Sequence, residues 1–257
     1  MQAKRTSITV VVHTHNGEKN IEDCLKSAQL LTADIVLVDM ESTDKTVSHA
    51  KKYASAVYTF PYARYVEPSR GFGIQKAQGG WVFILDDDER ITQELVAEIQ
   101  NAIKNTDYSS YKVPRKNMFA GKKWLRHGGW WPDPQIRLIK KSAFKSWPKE
   151  IHSTPVIEGS QGLLTQPVLH FFHGDIEGMV SKTVIFEEIE ADLLYRAGRP
   201  VQTTTFARKF LGELSRRLLV KGGFLDGTVG IIESVYQAFS KTITYLYLYE
   251  KKKGRTL

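Results

Sequence analysis

The chain has 257 residues, 42% of them hydrophobic and 25% charged, which is the composition of a folded protein with material for a real core. Its one cysteine, Cys24, excludes an intrachain disulfide framework, and no apolar run approaches the length needed to cross a bilayer. Thirty-six Lys and Arg against 28 Asp and Glu give a formal charge of +8, so an anionic partner is expected: nucleic acid, a membrane surface or a phosphorylated ligand.

The start, MQAKRTSITVVVH, runs from basic residues straight into a strand-like stretch with no small-residue cleavage site, so a cytoplasmic address is expected. Residues 7–13 (SITVVVH) are a β-branched run that predicts a first strand. Between residues 17 and 31, Ile21, Cys24, Leu25, Ala28 and Leu31 recur at the spacing of one helical face. Residues 34–39 (DIVLVD) read as a second buried strand, after which Thr43 or Asp44 caps a helix reaching about residue 53. Residues 56–60 and 80–86 (GWVFILD) supply two more strands. Thr92 stands as N-cap of the next helix, with Glu94 in its first turn, where the helix dipole favours an acid. Strands alternating with helices at this rhythm predict parallel pairing in a layered α/β sheet.

In an open parallel sheet, ligands bind beyond the carboxyl ends of the strands. Strand one ends in His13-Thr14-His15-Asn16, strand two in Asp39-Met40-Glu41-Ser42, and strand four in Asp86-Asp87-Asp88-Glu89. Either Asp39 or Asp86 alone is an ordinary cap for the turn that follows; both together, with DDDE, point to a shared polar crevice. Four consecutive carboxylates repel one another unless a cation sits among them. Mg²⁺ or Mn²⁺ suits oxygen ligands of this kind and binds through one or two carboxylates plus substrate phosphates. A solvated acidic turn is the alternative at this spacing.

The segments TVVVHTHNGEKNIEDCLKS, IVLVDMESTDKTVSHAKKY and PSRGFGIQKAQGGWVFILDDDERI, in that order, resemble glycosyltransferase family 2. The continuation KNMFAGKKWLRHGGWWPDPQIRLIKK, then EIHSTPVIEG, is similar to its branch of lipopolysaccharide-core β-glucosyltransferases. The resemblance covers about the first 175 residues; the tail, with GGFLDGTVGIIES, matches more loosely. It implies the GT-A fold, a Rossmann-like and mostly parallel sheet flanked by helices, followed by a helical C-terminal region. The expected division is a transferase domain over residues 1–175, with a nucleotide-binding half 1–105 and an acceptor half 106–175, and a basic region 176–257. The implied activity is metal-dependent, inverting transfer of a hexose, glucose from UDP-glucose, onto a glycan or lipid-linked acceptor in cell-envelope polysaccharide synthesis.

By the same resemblance, Thr14, Asn16 and Glu18 form the loop that meets the nucleotide, and Asp39 hydrogen-bonds the pyrimidine. Ser42 and Asp44 belong to the second loop, and Arg70 lies near ribose and diphosphate. Asp86 and Asp88 match the DxD pair, with Asp88 as the direct metal contact. The sequence departs from the family where His15 replaces a frequent Tyr and where Asp87 replaces a small residue. His15 puts stacking on the base in question.

An inverting transferase needs a base for the acceptor hydroxyl. Asp133, in WWPDPQIRL, lies between two prolines, an ordinary place for a turn aspartate, and its position alone leaves both readings open. The resemblance makes Asp133 the catalytic base, with Arg137 holding the leaving diphosphate. Trp130 and Trp131, beside His127, are candidates to stack on a sugar, or one of them covers the sheet edge instead. The resemblance also allows a C-terminal histidine in the metal shell, His170 or His173.

Beyond residue 175 the chain reads as basic helices. Over residues 205–221, Phe206, Phe210, Leu214 and Leu218 form one stripe, with Arg208, Lys209, Arg216, Arg217 and Lys221 elsewhere. Such a helix either packs on its own domain or lies in a membrane interface on anionic headgroups, and ITYLYLYEKKKGR adds an aromatic, basic end. The membrane reading takes the lead, as a peripheral association with the inner face of the plasma membrane. A nucleic-acid partner is disfavoured, because an acidic crevice without a metal repels phosphates. An inert scaffold on the same fold, and a polyprenyl-phosphate sugar synthase that needs no hydroxyl-deprotonating base, are the remaining alternatives.

Overall fold

Every residue of β1 (Ile8–Thr14) is buried, the state of an interior strand covered on both faces. The computed structural model describes residues 7–105, 107–172 and 176–254. The chain continues through α1 (Ile21–Ala28), β2 (Ile35–Asp39), α2 (Thr46–Ala50), β3 (Ala56–Thr59), α3 (Glu67–Lys76) and β4 (Trp81–Asp86). There follow β5 (Glu89–Arg90), α4 (Gln93–Ala102), β6 (Tyr108–Val113), β7 (Arg115–Phe119) and β8 (Lys123–Trp124). Then come β9 (Gln135–Lys140), β10 (Phe144–Ser146), β11 (Val156–Ile157), β12 (Ser160–Leu163) and β13 (Val168–His170). Three helices complete it: α5 (Ile176–Arg196), α6 (Thr203–Ser215) and α7 (Thr228–Lys253).

The chain divides into two units, Met1–Lys116 with Asp133–His170, and Asn117–Pro132 with Phe171–Leu257. The segment 117–132, expected in one domain with the rest of residues 1–175, thus belongs with the C-terminal helices. The first unit is built on a seven-stranded sheet in the order β12-β6-β9-β4-β1-β2-β3. Strand β1 runs parallel to β2 and β4, β2 to β3, and β12 to β6, while β9 is antiparallel to both β4 and β6. The expected α/β class, a mostly parallel sheet flanked by helices with a helical C-terminal region, is the observed one. Alternation along the strands divides the core in two. Val10, Val12, Leu37, Phe83 and Leu85 pack on Ile21, Cys24 and Leu25 of α1 and Leu95 and Ile99 of α4. Val11, Val38, Val82 and Ile84 pack on Ile74 of α3 on the opposite face. Each such side chain contributes about 1.5–3 kcal/mol relative to exposure.

Helix α2 begins at Thr46 and ends at Ala50, shorter than expected. The Asp44 carboxylate explains the late start: Oδ1 accepts from the Thr46 N–H at 2.9 Å while Oδ2 accepts from the Glu18 N–H at 3.1 Å. The side chain joins a helix start to a neighbouring loop. The short pair β5–β13 brings His170 opposite Glu89.

In the second unit, α5 and α7 meet through polar contacts. Glu187 accepts from Ser240 at 2.5 Å and from Thr244, and Lys251 pairs with Asp192 at 2.8 Å. Helix α6 packs Phe206 edge-on to Tyr249 and sets Lys209 over the Tyr245 ring. Phe206, Phe210, Leu214 and Leu218, the expected membrane stripe, are only partly exposed. Between residues 203 and 220 the large apolar side chains open to solvent are Leu211, Leu219 and Val220 instead. No helix among the described residues is long and apolar enough to cross a membrane.

The N-cap of α4 is as expected, with Thr92 Oγ1 accepting from the Leu95 N–H at 3.2 Å. Thr92→Ala should lower stability by about 1 kcal/mol, read from the urea midpoint at unchanged m-value, whereas Thr92→Ser should cost only a fraction of that.

Candidate active site

The loop after β1 must turn sharply beside the end of β2, and its residues carry the means. Asn16 adopts φ 51°, a left-handed conformation that asparagine tolerates. A Cβ at Gly17 would fall 2.2 Å from Asp87 Oδ2 and 2.5 Å from Thr14 Oγ1, so only glycine fits. Thr14 donates to Asp87 Oδ2 at 2.5 Å, fastening the first loop to the end of β4. The first and second loops then exchange bonds: Asn16 N–H to Ser42 Oγ at 2.8 Å, Thr43 N–H to Asn16 Oδ1 at 2.8 Å, and Lys45 N–H to Glu18 Oε2 at 3.1 Å. Thr14, Asn16, Glu18, Ser42 and Asp44 are therefore brought together as one network.

Asp39 closes β2 and is 4% exposed. Its Oδ2 accepts from the Ser42 N–H at 3.1 Å, while Oδ1 is buried with no hydrogen-bond partner among the described residues. A buried carboxylate oxygen without a donor costs of the order of 1–3 kcal/mol or more, which a ligand N–H would recover. Beside it His15, the residue that departs from the family, stacks on Tyr62 with ring centroids 4.0 Å apart and planes inclined by 26°. Tyr62 was not singled out from sequence; an exposed aromatic in PYARY was its one signal.

At the end of β4 a group of charges is largely withdrawn from water, with Asp86 at its partly exposed edge. Asp86 Oδ1 accepts from Arg70 Nη2 at 2.6 Å and Oδ2 from Arg137 Nη2 at 2.7 Å. Arg137 also pairs with Glu89, whose Oε2 accepts from the Asp86 N–H at 3.2 Å. Two cations thus face two anions, and all but Asp86 are nearly or fully buried. Burial alone would raise the Asp86 pKa, but the guanidiniums of Arg137 and Arg70 overcome it and hold the group well below the ordinary carboxylate range. For Glu89 burial prevails, pushing its pKa up, although Arg137, His170 and Arg115 favour the ionised form. Arg70, Asp86 and Arg137, expected at the diphosphate, are here engaged with one another.

His13 lies next to this group. Its Nε2 is 3.3 Å from the Ser69 carbonyl and its Nδ1 is 3.2 Å from Arg70 Nη1. A neutral ring that donates through Nε2–H and accepts at Nδ1 satisfies both contacts. Burial and the adjacent Arg70 charge accordingly hold its pKa well below 6.5.

Asp88 and His170 form a separate pair, Oδ1 to Nε2 at 3.6 Å, both side chains about one-seventh exposed, at 15% and 14%. No group of three or more His, Cys, Asp and Glu side chains arranged for a metal occurs among the described residues. His173 lies outside the described residues. Asp133 takes a left-handed φ of 41°, and both of its oxygens are engaged: Oδ2 accepts from Arg115 Nε at 2.8 Å and Oδ1 from Gln135 Nε2 at 3.0 Å. Arg115 Nη2 also lies 2.6 Å from Oδ2, so the carboxylate is held by a two-pronged guanidinium and an amide that orient it. Arg115 was not marked from sequence, although PRKN held it.

Trp130, Trp131 and His127 belong to the second unit. Trp130 stacks on Phe172 at 4.8 Å with Arg217 over its ring, and Trp131 meets Trp124 edge-on at 5.3 Å. Buried Asp226 accepts from the Arg126 and His127 N–H groups at 2.9 and 2.8 Å, and its Oδ1 lies 2.9 Å from His127 Nδ1. GGFLDG thus fixes the turn that leads to the tryptophans.

The same architecture occurs in solved glycosyltransferases. The mannosyltransferase PcManGT from Pyrobaculum calidifontis, in complex with GDP-Man and Mn²⁺, superposes with a TM-score of 0.57 at 14% identity, covering 95% of this chain and 87% of that one. Residues 1–349 of S. aureus TarS, in complex with UDP-GlcNAc, give 0.54 at 14% identity over 97% and 92%. The fold is therefore that of the GT-A glycosyltransferases. The profile described as glycosyl transferase family 2 matches residues 9–157, more than half of the chain, and the chain belongs to that family. An uncharacterised glycosyltransferase of Rickettsia typhi is 27% identical over 95% of this chain and 87% of its own length. The lipopolysaccharide core biosynthesis glycosyltransferase LpsC of Rhizobium meliloti is 26% identical over 72% and 70%.

Arg137→Met should destabilise the fold by about 3–5 kcal/mol in urea denaturation, because it takes from fully buried Glu89 the guanidinium it pairs with and leaves Asp86 with Arg70. His13 gives a pH signature. Its folded pKa lies below its unfolded one, so the unfolded chain takes up the extra proton and stability falls on acidification below about pH 6.5. Urea midpoints taken between about pH 7 and 5 should show up to ~1.4 kcal/mol lost per pH unit, a slope reduced in His13→Asn relative to wild type.

Proposed function

We propose that this chain transfers a hexose, glucose from UDP-glucose, with inversion, onto a hydroxyl of a glycan or lipid-linked acceptor in cell-envelope polysaccharide synthesis. The observation that carries the reading is Asp39 Oδ1, a buried acceptor without a donor among the described residues, in a crevice rimmed by the first and second loops. A uracil ring offers the N–H it lacks, and the His15–Tyr62 stack supplies a flat aromatic surface nearby. The likeness to LpsC supports the lipopolysaccharide branch and its acceptor class. Complexes of fold relatives with UDP-GlcNAc and with GDP-Man and Mn²⁺ support a nucleotide sugar and a divalent ion.

Asp88 and His170, 3.6 Å apart, would hold such an ion, Mg²⁺ or Mn²⁺, through one carboxylate and one imidazole. When bound, it offsets the charge of the diphosphate. Asp86 serves as the rigid base beneath Asp88, its own oxygens being held by Arg70 and Arg137. Asp133 is the general base: the acceptor oxygen bonds to the anomeric carbon as the bond to the β-phosphate oxygen breaks. The hydroxyl proton passes to the carboxylate, and UDP departs with the electron pair. Arg115 and Gln135 hold the carboxylate in place for that transfer. Trp130, Trp131 and His127 bind the acceptor.

A thermal-shift series over nucleotide sugars, with and without Mn²⁺, tests the donor. UDP-glucose with Mn²⁺ at about a hundred times its Kd should stabilise the fold by roughly 2.7 kcal/mol, and Asp88→Ala should remove the metal-dependent part. No shift with any UDP-sugar would sink the reading. For the base, Asp133→Asn should leave that shift near wild type while transfer falls by roughly two to four orders of magnitude. An intact turnover with only the acceptor KM raised would reduce Asp133 to a binder.

A further inference from the structure

The turn that carries the tryptophans gathers polar groups that the donor chemistry does not use. Residues 126–131 read RHGGWW, and buried Asp226, in the glycine corner 222–227 that precedes α7, holds them in place. Asp226 Oδ2 accepts from the Arg126 and His127 N–H groups, and its Oδ1 lies 2.9 Å from His127 Nδ1. An ionised carboxylate only accepts, so the imidazole donates through Nδ1 and keeps Nε2 for another partner. That side chain is 39% exposed, and Nε2 has no hydrogen bond among the described residues.

Lys221 is laid along the same turn. Its carbonyl accepts from the Gly128 N–H at 2.8 Å. Its side chain runs so close to exposed Gly129 that a Cβ there would fall 2.8 Å from Nζ and 2.9 Å from Cδ. Gly129 has a φ of 88°, so a residue without a side chain is required on both counts. A Cβ built on Gly222, the next residue after Lys221, would lie 3.8 Å from His127 Cδ2, so lysine and imidazole meet at one corner. Arg126 stands at the start of the turn, its guanidinium 4.2 Å from the centroid of the Trp124 ring. Lys221 and Arg126 are both exposed, and neither has a carboxylate partner among the described residues. The acids nearest in the fold are already taken, Asp226 by three donors of the turn and Glu213 by Arg216 and Arg217. Cations without counter-charge call for an anion, and an imidazole nitrogen beside them calls for a hydroxyl or a second acceptor contact.

We propose that this turn binds an acidic sugar, one that bears a carboxylate or a phosphate. Lys221 takes the anionic group, with Arg126 as the second cation, and His127 Nε2 accepts from a sugar hydroxyl. The binding stands on the turn itself; that the acidic sugar is the acceptor rests on the transferase reading.

Isothermal titration of the full chain tests it, with glucuronate, glucose 6-phosphate, glucose and inorganic phosphate as the probes. At least one acidic sugar should bind roughly tenfold or more tightly than glucose, the effect of one charge-assisted bond, and more weakly at high salt. The tighter of the two identifies the anion. Lys221→Gln should lower that affinity by a similar factor and leave glucose unchanged, while Lys221→Arg should retain most of it. Lys221→Gln should also keep the wild-type thermal midpoint and UDP-glucose shift, since Lys221 is part of neither the buried core nor the donor residues. Acidic sugars binding no better than glucose would overturn the inference, as would unchanged binding by folded Lys221→Gln. Inorganic phosphate binding as tightly as glucose 6-phosphate would do so too, because the turn would then hold a free ion and no sugar. A nucleotide-sugar shift without acidic-sugar binding would remove this inference and keep the transferase reading. Acidic-sugar binding lost in Lys221→Gln, in a chain that shows no nucleotide-sugar shift, would keep the site and remove that reading.

Discussion

The candidate site depends on one constraint: Asp86 must remain ionised beneath the loop that carries Asp88. A carboxylate at that depth would ordinarily lose its charge to desolvation. Two guanidiniums prevent this, one from α3 and one from β9, and Glu89 balances the second cation. The group is costly to assemble and worth more for position than for net stability, since a buried ion pair seldom outperforms an apolar replacement. Its effect is geometric. It locks the end of β4 to the helix that covers one sheet face and to the antiparallel strand β9 beside it.

The loops above inherit that rigidity. Thr14 bonds to Asp87, which stands between the locked Asp86 and the Asp88–His170 pair. Asn16 and Glu18 then pass the register to Ser42, Thr43 and Lys45. A crevice wall built from three paired strand ends is thereby extended beyond the sheet ladder by bonds from side chains. Within it Asp39 Oδ1 is the buried acceptor left without a donor. An acceptor left open at the end of a strand is one that a ligand N–H can satisfy.

The sheet was legible in the sequence because its interior strands are short β-branched runs bounded by polar turns, and burial on both faces leaves few other uses for such runs. Ile21, Cys24, Leu25 and Ala28 fall on the buried face of α1 at the expected spacing. The charge group was not legible. DDDE predicts a cation among its carboxylates, yet the cations that reach Asp86 are arginines 16 and 51 residues away. No local pattern records such pairing, and Glu89 reads as one more solvated acid until β13 lies across it. His13 was hidden for the same reason: nothing in a strand-end histidine tells that both ring nitrogens are engaged. The boundary near residue 175 followed a change in composition, whereas the segment 117–132 joins the helices through the Asp226 clamp, an interaction about a hundred residues apart in sequence.

That clamp has a consequence for how the molecule divides its labour. The side chains read as the donor site all lie in the first unit, on strand ends and the loops that follow them. The tryptophan turn and the glycine corner that precedes α7 lie in the second, and three backbone-directed contacts join them there: Asp226 to the N–H of His127, Gly128 to Lys221, and Arg217 to Gly128. The residues of the corner supply none of the partners of the charge group at the end of β4. The converse holds as well, because Arg70, Asp86, Arg137 and Glu89 find their partners within the first unit. Because all four partners belong to one unit, these charges, whose mispairing would cost several kcal/mol, are set by that unit's own residues.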